Sequence, residues 1–261
     1  MSRLQRFFEY LIVYLLGFGW FALFQPWGAF NDPDGFTHGK IASLIMQRGF
    51  LQDFPWLDLT ILHTYFVDQH LGLHLLQIPF IKLFGMLPGA QLSAVTFAGL
   101  VVLVFYLCAR WVGSQKPWLW TLLLITATPF VVRMSLAKSS PLAVSCFLVG
   151  LSALVCLKKR PAFFAGLFFS LMHGGWLLLL VSEGLVAGAM LSWQGLRRLV
   201  GRVQSVAHLP ESLWRKTLVI LATTTVGCAG GILLHPNAKN LFRFLWVQVV
   251  VIGVQTPFDR V

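Results

Sequence analysis

The stretch that decides the fold is LSAVTFAGLVVLVFYLCARWV, residues 92–112, in which Arg110 is the single charged residue. A helix of about 20 apolar residues spans the hydrocarbon core of a bilayer. Comparable apolar runs recur along the chain, at residues 11–24, 71–87, 117–132, 141–157, 161–193, 217–234 and 241–254. The sequence therefore predicts an all-α, polytopic transmembrane helical bundle with about seven spans.

Composition points the same way. Apolar residues of the AVILMFWYC set make up 57% of the chain and charged residues 11%, against about 25% charged in an ordinary globular domain. A soluble protein could not cover its surface with so few charges. The net charge is +11, but the basic residues lie in short groups between apolar runs instead of on one soluble domain. We therefore expect membrane lipids, and no nucleic acid, among the partners.

The basic groups also predict the orientation, because cytoplasmic loops carry an excess of Lys and Arg. Residues 11–24 follow Arg3 and Arg6 and precede no small-residue cleavage pattern, which favours an uncleaved first span over a signal peptide. Residues 27–89 then form the first outer loop, with amphipathic or re-entrant helices that include 71–87. The run 161–193 is expected to pass twice, turning at His173. Residues 1–261 would form a single transmembrane domain, integral to the plasma or inner membrane.

The outer loop concentrates the acids of the chain, and its strongest motif is Asn31-Asp32-Pro33-Asp34-Gly35-Phe36-Thr37-His38. Pro33 is expected to hold Asp32 extended, while Asp34 caps a helix that ends at Gly49. The i, i+4 spacing puts Asp34 and His38 on one helix face. Two carboxylates and an imidazole suit either a divalent metal, Mg²⁺ or Mn²⁺, or general-base catalysis. The structural alternative is a capped helix with a solvated acid.

Two further groups lie on the same predicted face. Asp68 is a candidate N-cap for a helix on which His70, His74 and Gln77 form one stripe, and these side chains either line a site or serve the fold. Arg133 and Lys138 oppose the positive-inside trend, which binding of a phosphate or snorkelling to lipid headgroups would explain. Weaker candidates complete the set: His173, His235 and the intramembrane carboxylate Glu183.

These motifs resemble the GT-C superfamily of integral-membrane glycosyltransferases, which use polyprenyl-phosphate-linked sugars. Asp32-Pro33-Asp34-Gly35-Phe36 is similar to the Asp-Pro-x-Phe loop of oligosaccharyltransferase catalytic subunits with one residue inserted, and Pro129–Arg133 is similar to their Pro-x-x-x-Arg. The resemblance implies that Asp32, with Asp34, is a metal ligand or the catalytic carboxylate. It implies that Arg133 meets the lipid pyrophosphate or the substrate.

The expected function is therefore sugar transfer from a polyprenyl-phosphate-linked donor to an acceptor on the outer face. The expected catalytic residues are Asp32 and Asp34, and the expected substrate-binding residues are His38, Asp68, His70, His74, Arg133, Lys138, His173 and His235. Two alternatives stay open: a multi-pass transporter or lipid-handling protein, and a non-catalytic membrane assembly subunit. Members of that superfamily are usually longer, so we expect this chain to be either a fragment or naturally short.

Overall fold

The protein is all-helical in the part of the chain that the structure describes, a computed structural model covering residues 2–200, 213–247 and 250–252. The side chains of 61 and 194–200 are not described. The sequence also predicts a basic cytoplasmic linker at 199–211, and this segment lies largely outside the described residues. The described residues form eleven α-helices and a 3₁₀ turn at Ile61–His63, and no strand. The helices are α1 Arg3–Phe24, α2 Asp34–Arg48, α3 Leu71–Phe84, α4 Met86–Trp111, α5 Pro117–Thr126, α6 Thr128–Met134, α7 Ser140–Val155, α8 Lys159–Met172, α9 Leu177–Val200, α10 Leu213–Leu234 and α11 Ala238–Trp246.

Three of the described helices are long and apolar enough to cross a membrane, namely α1, α4 and α10. A fourth span results if α5 and α6 are counted together, and α3, α7 and the first part of α9 are shorter apolar helices. The expectation of about seven spans therefore exceeds what helix length and composition support. Helix α1 packs on α4, α4 on α7, α7 on α8 and α8 on α10, while α2 and α3 pack beside α4.

The apolar run at 117–132 is broken into two helices that meet at an angle of 75°. Ala127, between α5 and α6, has an extended backbone with φ −72° and ψ 111°. Pro129 explains the break, because it has no N–H to donate to the preceding turn and its ring would clash with the carbonyl four residues earlier. The bend sends α6, which carries Arg133, away from the direction of α5.

The run at 161–193 also divides where the sequence predicted. Helix α8 ends at Met172, His173 has an extended backbone, and α9 begins at Leu177. The chain therefore reverses at His173 and the two glycines that follow it. Glycine also ends α2 as expected, since Gly49 has φ 77°, a conformation that residues with a Cβ rarely adopt.

Helices α8 and α10 approach each other closely because glycines line their contact. A Cβ on Gly227 would overlap the carbonyl oxygen of Phe163, and one on Gly231 would lie 2.5 Å from the carbonyl oxygen of Leu167. On the opposite helix, a Cβ on Gly166 would overlap the carbonyl oxygen of Thr224. This arrangement is the close backbone contact that small residues four apart permit between helices in a membrane.

Candidate active site at the helix termini

Lys138 joins the two acids of the first loop. Its Nζ lies 2.6 Å from Oδ2 of Asp32 and 2.6 Å from Oδ2 of Asp34. Lys138 stands in the turn between α6 and α7, whereas the acids stand at the start of α2. The 27–68 segment and the 133–140 turn therefore lie at the same end of the helix bundle. Side-chain exposures are 18% for Lys138, 21% for Asp32 and 59% for Asp34, so Asp34 is the most accessible of the three.

The prediction that Asp34 caps α2 is wrong. Asp34 is the first residue of the helix, and Oδ1 of Asp32 accepts the hydrogen bond from the Gly35 amide at 3.2 Å. The reason is Pro33, whose φ of −66° and ψ of −25° are helical, so the turn begins one residue earlier than Asp34. Asp32 consequently serves the local fold as well as the ion pair, while Asp34 has no cap to make.

A buried chain of three side chains lies behind the ion pair. Oδ2 of Asp68 lies 2.7 Å from Nδ1 of His74, and Nε2 of His74 lies 2.9 Å from Nδ1 of His38. Asp68, His74 and His38 are only 4%, 1% and 7% exposed. An ionised carboxylate can only accept, so Nδ1 of His74 donates to Asp68. The three side chains therefore form one buried hydrogen-bonded chain from Asp68 through His74 to His38.

The electrostatics keep this chain charged at one end and neutral at the other. Burial by itself would raise the pKa of Asp68, but attraction to His74 and hydrogen bonds from His74 and the His70 amide outweigh it and lower the pKa. Burial and repulsion from His74 and His70 lower the pKa of His38 to about 3. Asp68 is therefore ionised at pH 7 and His38 is neutral.

His70 connects this chain to the ion pair. Its Nδ1 lies 2.9 Å from the hydroxyl of Ser139, the residue that follows Lys138, and its ring packs edge-on against His38 and His173 at 5.0 and 5.2 Å. Burial, and repulsion from His173 and His74, lower the pKa of His70 to about 4. These residues form one polar cluster, called the acid–histidine cluster below. It consists of Asp32, Asp34, Lys138 and the imidazoles of His38, His70 and His173.

Arg133 stands at the edge of this cluster. It is exposed, on the short helix α6. Burial lowers the pKa of His173, and electrostatic repulsion from the charge of Arg133 lowers this pKa further. For Lys138, burial alone would lower the pKa, but hydrogen bonds to the two carboxylates raise it. Two cations therefore flank the neutral histidines.

His235 lies next to the cluster, but backbone groups occupy both of its ring nitrogens. Nε2 donates to the carbonyl oxygen of Asp68 at 2.8 Å, and Nδ1 accepts from the Asn237 amide at 3.0 Å. The Asn237 side chain in turn donates to the carbonyl oxygen of Leu51. These bonds fasten the turn between α10 and α11 to the first loop, and they give His235 a positioning role.

The acids do not suit a metal ion as they stand. Among the described residues, no group of three or more His, Cys, Asp or Glu side chains is arranged to hold one. The ammonium of Lys138 occupies the space between the Asp32 and Asp34 carboxylates, and Mg²⁺ or Mn²⁺ would have to displace it.

One polar position escaped the sequence reasoning, and two that it named are buried without full hydrogen bonding within the described residues. Ser139 is 2% exposed and contacts His70, yet a serine at the start of a helix is too common to mark a site. Gln77, one turn beyond His74, is fully buried, and its amide atoms have no hydrogen-bond partner among the described residues. Glu183 is also fully buried; Oε1 accepts from Thr224 at 3.2 Å, and Oε2 has no partner in the described part of the chain.

Comparisons of the chain with protein-family models, curated proteins and solved structures gave no match. The case for a function therefore rests on the chemistry of the acid–histidine cluster.

Proposed function

We propose that this protein is a membrane glycosyltransferase of GT-C type that transfers a sugar from a polyprenyl-phosphate-linked donor to an acceptor hydroxyl. The observation that carries the proposal is the Lys138 ammonium held between the Asp32 and Asp34 carboxylates. Sugar transfer from a lipid phosphate needs a base for the acceptor and a cation for the leaving phosphate. Both groups stand at one end of the bundle, beside the neutral imidazoles of His38 and His70.

In this proposal about seven passes cross the bilayer and the cluster lies on the extracytoplasmic side. Three helices of sufficient length and apolarity support membrane insertion. The orientation rests on the basic groups at the other end of the bundle, which favour the cytoplasm. Placing the cluster at the outer surface would let a polyprenyl chain stay in the bilayer while its phosphate reaches Lys138.

The ion pair suggests the order of events. A donor phosphate that binds Lys138 competes with the carboxylates for the ammonium, so donor binding releases Asp32 or Asp34 to act as the base. The freed carboxylate takes the proton of the acceptor hydroxyl as its oxygen attacks the anomeric carbon. The bond between that carbon and the phosphate oxygen breaks, and Lys138 and Arg133 hold the leaving phosphate.

The neutral histidines fit sugar binding. A neutral imidazole both donates and accepts hydrogen bonds, which suits hydroxyl groups, and the low pKa values of His38 and His70 keep these rings uncharged at pH 7. The contact of His74 with Asp68 fixes the orientation of His38 from behind. These side chains would therefore select and orient the sugar, while the acids and cations perform the transfer.

The test is sugar transfer by the purified chain in liposomes, with a radiolabelled polyprenyl-phosphate sugar as donor. We expect Asp32→Asn to lower the rate by about 10²–10⁴-fold, the range for loss of a positioned general base. Asp58→Asn is the matched control, because it removes the same charge from an exposed position of the same loop. Transfer by Asp32→Asn at the rate of the Asp58→Asn control would show that the carboxylate is not catalytic.

A further inference from the structure

A second site lies at the opposite end of the bundle from the acid–histidine cluster. A cavity of about 480 Å³ opens where the turn between α7 and α8 meets the start of α10, lined by Cys156, Leu157, Lys158, Lys159, Arg215, Lys216, Val219 and Ile220. Helix α7 has 16 residues, so about 24 Å of helix separates this cavity from Lys138. Its size lies within the range of ligand-binding pockets.

Four cations surround this opening, and none of them has an acidic partner among the described residues. Lys158, Lys159, Arg215 and Lys216 are exposed, and every ion pair formed among the described residues lies elsewhere, on Glu9, Asp32, Asp34 or Asp68. The Arg215 guanidinium lies 5.3 Å from the centre of the Trp214 ring, which limits its directions. Four like charges around one opening repel each other, and an anion would relieve that repulsion.

The inner wall of the cavity is apolar. Ile220 is 1% exposed and belongs to a buried cluster against which Leu157 packs, while Val219 is 40% exposed at the opening. A small inorganic anion would gain no binding energy from apolar contacts with this wall. An amphiphile with a phosphate group would gain from both parts of the cavity, since the phosphate would contact the cations and the hydrocarbon part would lie against Leu157 and Val219.

Leu157 shows that the wall is built at some expense to the backbone. Its φ is 54°, the only positive φ at a residue other than glycine in the described part of the chain. The Lys158 amide donates to the carbonyl oxygen of Ala153 at 2.8 Å, the helix ending in which glycine is usual at this position. This conformation is uncommon for a residue with a Cβ. Here the Leu157 side chain packs against the buried cluster that contains Ile220, and Lys158 and Lys159 follow it at the rim of the cavity.

We propose that this cavity binds the phosphate group of an anionic phospholipid. Lys158, Lys159, Arg215 and Lys216 hold the phosphate oxygens, and Leu157 and Val219 contact the acyl chains. The site does not depend on glycosyl transfer and would exist whatever chemistry the acid–histidine cluster performs. In the proposed orientation it faces the cytoplasmic leaflet, where anionic lipids attract basic segments.

The experiment uses the full chain, purified in a nonionic detergent, and native mass spectrometry to count bound lipids. The probes are dioleoylphosphatidylglycerol and dioleoylphosphatidylcholine, which share acyl chains and a phosphate but differ in net charge, and inorganic phosphate. We expect retention of the anionic lipid alone. Equal retention of both lipids would overturn the proposal, and so would inorganic phosphate that displaces the bound lipid at equal concentration, because the site would then bind a free anion.

Two matched double variants locate the effect. Lys158→Gln/Lys216→Gln should weaken lipid binding by about tenfold or more, since each cation near an anionic surface contributes about a fivefold factor. Arg3→Gln/Lys116→Gln removes the same charge from exposed positions outside the cavity and should change binding by less than about twofold. Equal weakening in both would show that binding follows overall charge and not this cavity.

A third variant tests the apolar wall without touching charge. Val219→Trp fills the opening at a half-exposed position, so we expect the fold to tolerate it and the lipid to be excluded. An unchanged elution profile in size-exclusion chromatography confirms the fold. Retention of the lipid by a folded Val219→Trp protein would refute the placement of the acyl chains.

Discussion

The contact between α8 and α10 makes a sharp prediction about two neighbouring glycines. A Cβ added at Gly227 would overlap the carbonyl oxygen of Phe163, whereas one added at Gly230 would meet only the end of the Leu167 side chain, at 3.4 Å. The first obstacle is backbone and cannot move without separating the helices. The second is the flexible tip of a side chain. Gly227→Ala and Gly230→Ala therefore differ only in what the same methyl group meets.

The magnitudes follow from two opposing effects. Alanine is more favourable than glycine in a helix by about 1 kcal/mol, and both variants gain this. Overpacking costs about 1–3 kcal/mol, and more where backbone must shift. We expect Gly230→Ala to be neutral or stabilising by up to about 1 kcal/mol, and Gly227→Ala to be destabilising by about 1–2 kcal/mol. The two variants should therefore differ by about 1–3 kcal/mol, and at about 2–4 °C per kcal/mol their melting temperatures should differ by about 2–12 °C.

The measurement is thermal unfolding of the two variants and the parent chain in the same detergent, followed by fluorescence-detected size-exclusion chromatography. The control is built into the pair, because helix propensity and hydrophobicity change equally in both. Melting temperatures that agree within about 1 °C would refute the close backbone contact between α8 and α10.

Three further predictions concern other parts of the molecule. His38 and His70 have folded pKa values of about 3 and about 4, below the usual 6.5, so the unfolded chain binds more protons as the pH falls below 6.5 and stability is lost there. We expect His38 alone to lower the free energy of unfolding by about 2 kcal/mol between pH 7.5 and pH 5. The non-titrating variant His38→Asn should show a smaller fall in melting temperature than the parent chain over that interval, and an equal fall would contradict the low pKa of His38. A cysteine in place of the fully exposed Leu59 should react with an impermeant thiol reagent in intact cells, and one in place of Lys159 only after permeabilisation; the reverse pattern would invert the proposed orientation. Glu183→Met should leave the melting temperature unchanged or raise it, because Oε2 of Glu183 has no partner among the described residues and a buried polar group without a partner is costly. The Thr224 hydroxyl would still donate to the carbonyl oxygen of Ile220. A clear fall in the melting temperature would show that the carboxylate is paired.

Much of the helical layout was readable from the sequence because it depends on local chemistry. Apolar runs, Gly49 at the end of α2 and the break at His173 each reflect a preference of a few adjacent residues. The cap of α2 was misread for a local reason too. The backbone of Pro33 is helical, so the first turn of α2 begins before Asp34, and the Gly35 amide donates to Asp32.

The contacts that assemble the site were harder to predict because they join distant segments. The sequence placed Asp32 and Lys138 at one end of the bundle from charge patterning, but nothing local indicates that one ammonium bridges both carboxylates. Likewise, the spacing of His70, His74 and Gln77 predicts one stripe on a helix, whereas the contact of His74 with His38 depends on how α2 packs on α3. Counting apolar runs predicts about seven spans, whereas helix length and composition select α1, α4 and α10 among the described helices, because the other runs form shorter or broken helices.

The acid–histidine cluster has one architectural property with a consequence for its evolution. Asp32, Lys138 and His173 each stand beside a helix terminus and not within a helix. Helix ends leave backbone groups unsatisfied in any case, so polar side chains there disturb no internal hydrogen bonding, and the apolar stems below them keep their packing. Under the proposed function, replacing these end residues would alter the chemistry while the same framework of helices persists. The proposed glycosyltransferase would then be a reusable scaffold, in which a few substitutions at one end of the bundle change the specificity.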